Sequence, residues 1–377
     1  MATFTCEVIQ VKPKLHPNAD ALDIIEYGLF QSVMKKGLFK DGDLGVYIPE
    51  AAICPPEVIK ACCAWDDTKD RGRLSGAGYN RVKAVKLRGV FSQGLVMPLP
   101  EGVDWVVGQD VQTEIGVEKY NPKVPSHFFN NGQPKIAGQF HGYTPNFDVE
   151  NVKKNKNAFE EGEFVTVTEK IHGTCCIIGC YTPEAIEKYG LNAENLYKGR
   201  VFVGTKNLTK RGIVYNPTDM ANIYARIPHE LGLLDRIIEI QDDFTDTWGD
   251  MLDHQESCLC LLGEIYGANV QDLKYGLQQP TFRGFDFWRS YENQPSKFES
   301  GFCYNDYICK HYNVPWVPVL YAGPFSKNLF DLNSGESILC PGQIREGIVI
   351  RSGDGEKLYK YVSEAYLLRK GETTEFE

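Results

Sequence analysis

No Cys-x-x-Cys pair occurs in the 377 residues, although the chain holds 12 cysteines. Ribbon- and finger-type zinc sites rely on that spacing, so no structural zinc is expected. No stretch approaches the roughly 20 apolar residues of a membrane-spanning helix. Residues 1–14 also lack the apolar core of a secretory leader. The expectation is a cytoplasmic or nuclear protein, neither secreted nor membrane-bound, whose thiols act as small buried hydrophobes. An excess of basic charge is missing too. Lys and Arg number 40 against 50 Asp and Glu, a net charge of −10, which argues against indiscriminate coating of nucleic acid or anionic lipid. A local basic groove stays compatible with that total. No repeat of 20–50 residues is visible, which excludes solenoids and propellers.

What is present is the mix of a globular protein, 42% hydrophobic and 24% charged, in a chain long enough for two or three domains. Residues 1–120 read as short strands separated by turns. Val8–Val11, Ile24–Tyr27, Leu44–Tyr47 and Val82–Leu87 are apolar or alternating, and Lys40-Asp41-Gly42-Asp43 is a turn. Frequent glycine and scarce helical periodicity suit a small β-barrel. Residues 121–146 carry Pro122, Pro125, Gly132, Pro134, Gly138, Gly142 and Pro145 and read as a connector. From 147 to 377 a second domain is expected, with strands at Phe164–Glu169, Cys175–Cys180, Val201–Gly204, Leu259–Ile265, Arg283–Trp288 and Gly347–Arg351. Ile223, Ile227, Leu231, Leu234 and Ile238 recur at helical spacing, which predicts one helix over 221–240 kinked at Pro228.

The string that carries chemistry is Thr168-Glu169-Lys170-Ile171-His172-Gly173-Thr174. A lysine ends an apolar strand, and a glycine follows that lets backbone approach a ligand, a setting suited to a nucleophilic amine. Four more strings follow in order: Gly263-Glu264-Ile265-Tyr266-Gly267, Phe285-Asp286-Phe287, Glu346-Gly347-Ile348-Val349-Ile350-Arg351 and Lys357-Leu358-Tyr359-Lys360. Together the five resemble motifs I, III, IIIa, IV and V of the covalent nucleotidyltransferases, which include ATP-dependent ligases and mRNA capping enzymes. Capping enzymes and DNA ligases carry their OB domain after the catalytic domain. Here the 17 residues after Lys360 (361–377) are too few for a barrel, whereas a barrel-like segment precedes Lys170. That order, with Lys-x-His-Gly and the lead-in Phe147-Asp148-Val149-Glu150-Asn151, resembles the RNA ligase 5 type of ATP-dependent RNA ligase. The early string His16-Pro17-Asn18-Ala19-Asp20-Ala21-Leu22-Asp23 is similar to the signature of OB-fold tRNA-binding domains, or is simply a loop whose Asn and Asp side chains hold a turn.

The resemblance implies an α+β protein: an N-terminal OB-fold barrel followed by an adenylyltransferase domain with antiparallel sheets. It implies ATP and Mg²⁺ or Mn²⁺, and a monomer sealing RNA with 3′-OH and 5′-phosphate ends in a nicked duplex. Lys170 would attack the α-phosphate and carry AMP. Glu169 would recognise the adenine amino group, Glu264 the ribose, and Phe285 would stack on the base with Asp286 supporting it. Glu346 would orient the metal, Arg351 would be a catalytic cation, and Lys360 would contact the α-phosphate. His172 and Gly173 would lie near the ribose or phosphates, and Lys206 in Gly204-Thr205-Lys206-Asn207 would occupy motif Ia. The family's motif V has two lysines at alternate positions, whereas Leu358 and Val362 flank Lys360 here, and Lys357 reads as a surface lysine.

Arg211 extends a basic run near Lys206. Lys69, Arg71, Arg73, Arg81, Lys83, Lys86 and Arg88, with Tyr79, form a second run in the first domain suited to RNA phosphates or to a solvated face. Phe287 reads as core. The competing functional readings are a non-catalytic RNA- or tRNA-binding protein and a capping-type guanylyltransferase.

Overall fold

The computed structural model describes residues 4–142, 149–248, 256–291 and 302–369. Contacts divide these into two compact units, each with its own core. The first comprises 4–121, 149–158 and 361–369; the second comprises 122–142 and the described part of 159–360. Phe147 and Asp148 of the expected lead-in lie outside the described residues.

The first unit is built from short antiparallel strands, as its turn-rich sequence requires. Glu7–Gln10, Leu44–Ile48 and Leu95–Pro98 form one sheet, with Val8 opposite Val46 and Val96 opposite Tyr47. Pro13–Leu15, Leu22–Tyr27 and Phe30–Lys35 form another. Their apolar residues meet in one core with Val8, Val46, Ile48 and Val96 fully buried. Gly28 makes the two-residue turn between Tyr27 and Phe30 at φ 60°. A side chain there would also strike the Lys153 carbonyl, its Cβ falling 2.2 Å away. Lys153 belongs to a segment that the sequence placed in the second domain, yet it packs into this one. The strand expected over Val82–Leu87 starts at Val85 and covers Val85–Leu87. His16 is buried, takes the Asn18 N–H on Nδ1 at 3.0 Å and lies 3.2 Å from the Leu87 carbonyl through Nε2. The first part of the His16–Asp23 string is therefore a loop held by His16, and Leu22 and Asp23 open the strand Leu22–Tyr27.

The second unit has two sheets. In the larger, the order is Ile136–Gln139, Ile213–Tyr215, Val201–Gly204, Thr174–Tyr181, Glu256–Gly267 and Pro280–Tyr291, all antiparallel. The expected connector thus supplies an edge strand and a 3₁₀ turn, Ser126–Phe129, and belongs to this unit rather than linking two. Alternation divides the central strands between two apolar faces. Cys176, Ile178 and Cys180 face one cluster with Leu259 and Leu261, while Ile177, Tyr181, Cys258 and Cys260 face another with Trp288. Most of the eleven described cysteines, all free, are buried among such residues, and burial pushes the Cys6 and Cys54 thiols up to about 12.

Two helices, Ile223–Glu230 and Leu233–Trp248, cover the first face. The sequence predicted one helix kinked at Pro228. Instead Pro228 sits inside the first helix, and the break falls at Gly232, whose φ of 67° ends it. The smaller sheet contains Leu358–Val362, Gly347–Ser352, Phe164–Lys170 and Val319–Pro324 in that order. No helix among the described residues is long and apolar enough to cross a membrane.

Candidate active site

Lys170 is the last residue of one sheet's strand, and Thr174 is the first of the other's. Ile171-His172-Gly173 is thus the crossing between the two sheets. In the smaller sheet Lys170 stands opposite Gly347, which brings Glu346 beside it. Lys170 Nζ donates to Glu346 Oε1 at 2.8 Å, with the lysine side chain 19% exposed and the carboxylate 1%. The other oxygen, Oε2, is buried and accepts no hydrogen bond among the described residues, and His172 Nδ1 lies 4.0 Å from it.

His172 is itself buried and held from the far side. Its Nε2 is 2.8 Å from Asp272 Oδ1, and its backbone N–H donates to the Tyr275 hydroxyl at 2.7 Å. The Gly173 carbonyl accepts from the Gln271 amide. One turn-rich segment, 268–279, therefore grips the crossing three times. Burial foremost, and the Glu346 carboxylate next, push the Tyr275 phenol well above its ordinary range. Gly173 has no alternative: a Cβ would lie 2.2 Å from the Ile265 carbonyl and 2.8 Å from Glu264 Cγ. That same contact places half-buried Glu264 beside the crossing, since Cys175 stands opposite it in the larger sheet.

Glu169 points to the other face of the strand from Lys170. It is fully buried, and its carboxylate accepts from the Ser337 hydroxyl and, at 2.8 Å, from the Ile338 N–H, with Arg345 Nε 4.0 Å away. Asp286 forms a buried ion pair with Arg351 and takes the Phe287 N–H at 3.0 Å. Arg351, expected as a catalytic cation, is thus engaged by the residue expected to support the base. Phe285 is half-buried, whereas Phe287 is core, stacked on Trp316 at 6.0 Å.

Lys360 is half-buried on the strand Leu358–Val362. Lys357 faces elsewhere and pairs with both Glu163 oxygens at 2.9 Å, as a surface lysine would. Lys206 opens the helix Lys206–Lys210 behind its cap Thr205, and Arg211 is exposed at its end. In the first unit, Arg81 lies over the Tyr120 ring at 4.4 Å, Lys83 is half-buried, and Lys86 is exposed. Asp272, Tyr275, Gln271 and Ser337 escaped sequence reasoning. They lie in irregular segments without periodicity, and only proximity to Gly263-Glu264-Ile265-Tyr266-Gly267 could have drawn notice to the first three.

A lysine at a strand end, a buried carboxylate with a spare oxygen and a glycine crossing between two antiparallel sheets define a nucleotidyltransferase-type ligase domain, with an OB-fold domain before it. The RNA ligase family model matches residues 163–362, more than half the chain, and an OB-fold domain model matches residues 5–99. The chain belongs to the RNA ligase family. No curated protein sequence matches it. Among solved structures it is similar to RNA ligase of Naegleria gruberi. One variant of that enzyme with ATP and Mn aligns at TM-score 0.72 and 21% identity, covering 97% of this chain and 98% of the other. The same ligase with pyrophosphate aligns at TM-score 0.69 and 22% identity over 97% and 98%. At that identity the likeness is one of fold.

Proposed function

We propose that the protein joins RNA ends bearing a 3′-OH and a 5′-phosphate, using ATP and a covalent lysyl–AMP on Lys170. The observation that carries the reading is the Lys170–Glu346 pair at the crossing of two sheets. In the first step the Lys170 amine attacks the α-phosphorus. A P–N bond forms, the bond from the α-phosphorus to the bridging oxygen breaks, and pyrophosphate leaves. In the second step a 5′-phosphate oxygen of RNA takes the adenylyl group and frees the lysine. In the third step the 3′-OH attacks that activated phosphate, and AMP departs.

An amine held in an ion pair has no lone pair to give, so Lys170 must shed a proton before it attacks. Glu346 Oε1, 2.8 Å away, is an acceptor within reach of it. His172 stays oriented through Asp272 and Tyr275, and Gly173 lets the crossing pack against the Ile265 carbonyl and Glu264. A divalent cation fits Glu346, because its Oε2 is a buried carboxylate oxygen without a hydrogen bond. Among the described residues no three His, Cys, Asp or Glu side chains converge to hold an ion. Magnesium or manganese would therefore take Glu346 with substrate phosphates and water, the manner usual for magnesium, and would supply positive charge to the phosphates.

The relatives of known structure with ATP and Mn support this choice of nucleotide and metal. Incubation with ATP labelled at the α-phosphate, then denaturing electrophoresis, tests it. Label should stay on the protein, and the labelled protein should seal nicked duplex RNA. No label from ATP, or label only from GTP, would sink the reading.

A further inference from the structure

A cavity of about 700 Å³ lies in the second unit between the 3₁₀ turn Ser126–Phe129, the helix Ile223–Glu230 and the segment 268–280. Its size falls in the range of ligand pockets, roughly 300–1,000 Å³. Two cations line it, Arg226 and Lys274, and no acid does. In a chain of net charge −10 that is a local reversal of sign. Lys274 is exposed, its amine makes no hydrogen bond or ion pair among the described residues, and Arg226 Nε is 3.9 Å from the exposed Glu230. Around them stand the side-chain amides of Asn130, Asn269 and Gln279, with Ile223 and Val270 as apolar floor. His127 closes one wall, its Nε2–H donating to the Asn269 carbonyl at 2.8 Å and its ring exposed.

Cations for a phosphate, amides for a base edge and an apolar floor with a ring for its face are the parts that recognise a nucleotide. We infer that this cavity binds a phosphate-bearing nucleotide of the RNA, next to the ends being joined. The inference rests on the RNA-sealing reading above. ATP is the disfavoured source of the phosphate, because Lys170, Glu264, Phe285 and Glu346 are all absent from the lining. The cavity is nevertheless tied to the chemistry. Gln271 lines it and also holds the Gly173 carbonyl, and Gly173 is three residues from Lys170, at most about 11 Å along the chain.

The test is the double variant Arg226→Ala, Lys274→Ala in the full chain, with Lys274→Gln as a milder companion should the first fold poorly. The rate of covalent adenylylation and its dependence on ATP should change less than about twofold, while KM for nicked RNA rises about tenfold or more. The logarithmic salt dependence of RNA binding should lose about one unit per cation removed. An equal loss in adenylylation would assign the cavity to ATP and overturn the inference. Unchanged sealing and RNA binding at several salt concentrations would overturn it as well. Should the unaltered protein form no adenylate, the sealing reading falls. Anisotropy of a labelled 5′-phosphorylated RNA, compared between unaltered and Lys274→Gln protein, then still decides whether the cavity holds a nucleotide.

Discussion

Each unit draws a lysine and a glutamate together away from bulk water, and the two arrangements are opposites. In the first unit Lys153, 2% exposed, is joined to Glu50 through Gln93. Lys153 donates to Gln93 Oε1 at 2.7 Å, the Gln93 amide donates to Glu50, and the Ala84 N–H donates to the remaining Glu50 oxygen at 3.0 Å. Both glutamate oxygens and both ends of the amide are engaged. Burial lowers the Lys153 amine below its ordinary range and raises the Glu50 carboxyl above its own. In the second unit Lys170 touches Glu346 directly, and one oxygen of that buried carboxylate is left over. A network satisfied at these atoms holds a fold together. A carboxylate with an unspent oxygen beside an amine is costly to keep and is positioned for phosphate chemistry.

Substitutions at four positions would break or sharpen that contrast. Lys170→Ala should abolish the covalent adenylate altogether while leaving sealing of pre-adenylylated RNA above background. Persistent acid-labile, alkali-stable label on that variant would remove Lys170 as nucleophile.

Lys153→Met should instead cost stability, about 3 kcal/mol or more, because it strands part of a buried polar network. Denaturant melts would measure it, and adenylylation per folded molecule should survive. A variant that melts normally but fails to adenylylate would erase the distinction between the two lysines.

Glu346→Ala should slow single-turnover adenylylation about 100-fold or more with ATP affinity nearly unchanged, since a charge-organising carboxylate acts on the developing transition state. Rate and affinity measured separately decide this, and an unaltered rate would take Glu346 out of the chemistry.

Asp272→Ala should slow adenylylation roughly tenfold, the worth of one charge-assisted hydrogen bond. Asp272→Asn, which keeps an oxygen for His172 Nε2, should recover most of it. Equal damage from both would mean that charge rather than orientation matters there.

How legible the site was follows from where its parts lie. Lys170, His172, Gly173, Glu264 and Glu346 sit on or next to strands whose order in the chain is recoverable, so type and spacing sufficed to single them out. Arg351 was legible as a cation but not as the partner of Asp286, because 65 residues separate them and only two paired sheets bring them together. The connector was misread since its prolines and glycines resemble a linker, yet Ile136–Gln139 needs only the free edge of Ile213–Tyr215 to become a strand. The domain boundary failed for a related reason. Lys153 lies after the connector but is buried in the first unit, so the catalytic unit is not one continuous piece of chain.

By itself the sequence determined the local chemistry: where the central strands of the second unit run, that thiols are packing groups, and that an amine, a glycine and a carboxylate recur in a ligase-like order. Strand alternation and glycine's lack of a Cβ are local properties, readable without partners. Only the tertiary structure decided what each charged group does with its charge. The opposition of Lys170 and Gly347 delivers Glu346 to the nucleophile, the irregular segment 268–279 supplies Asp272 to His172, and Ser337 and Ile338 engage Glu169. A charge out of water must find its counterpart through space, and nothing in linear order says which counterpart that is.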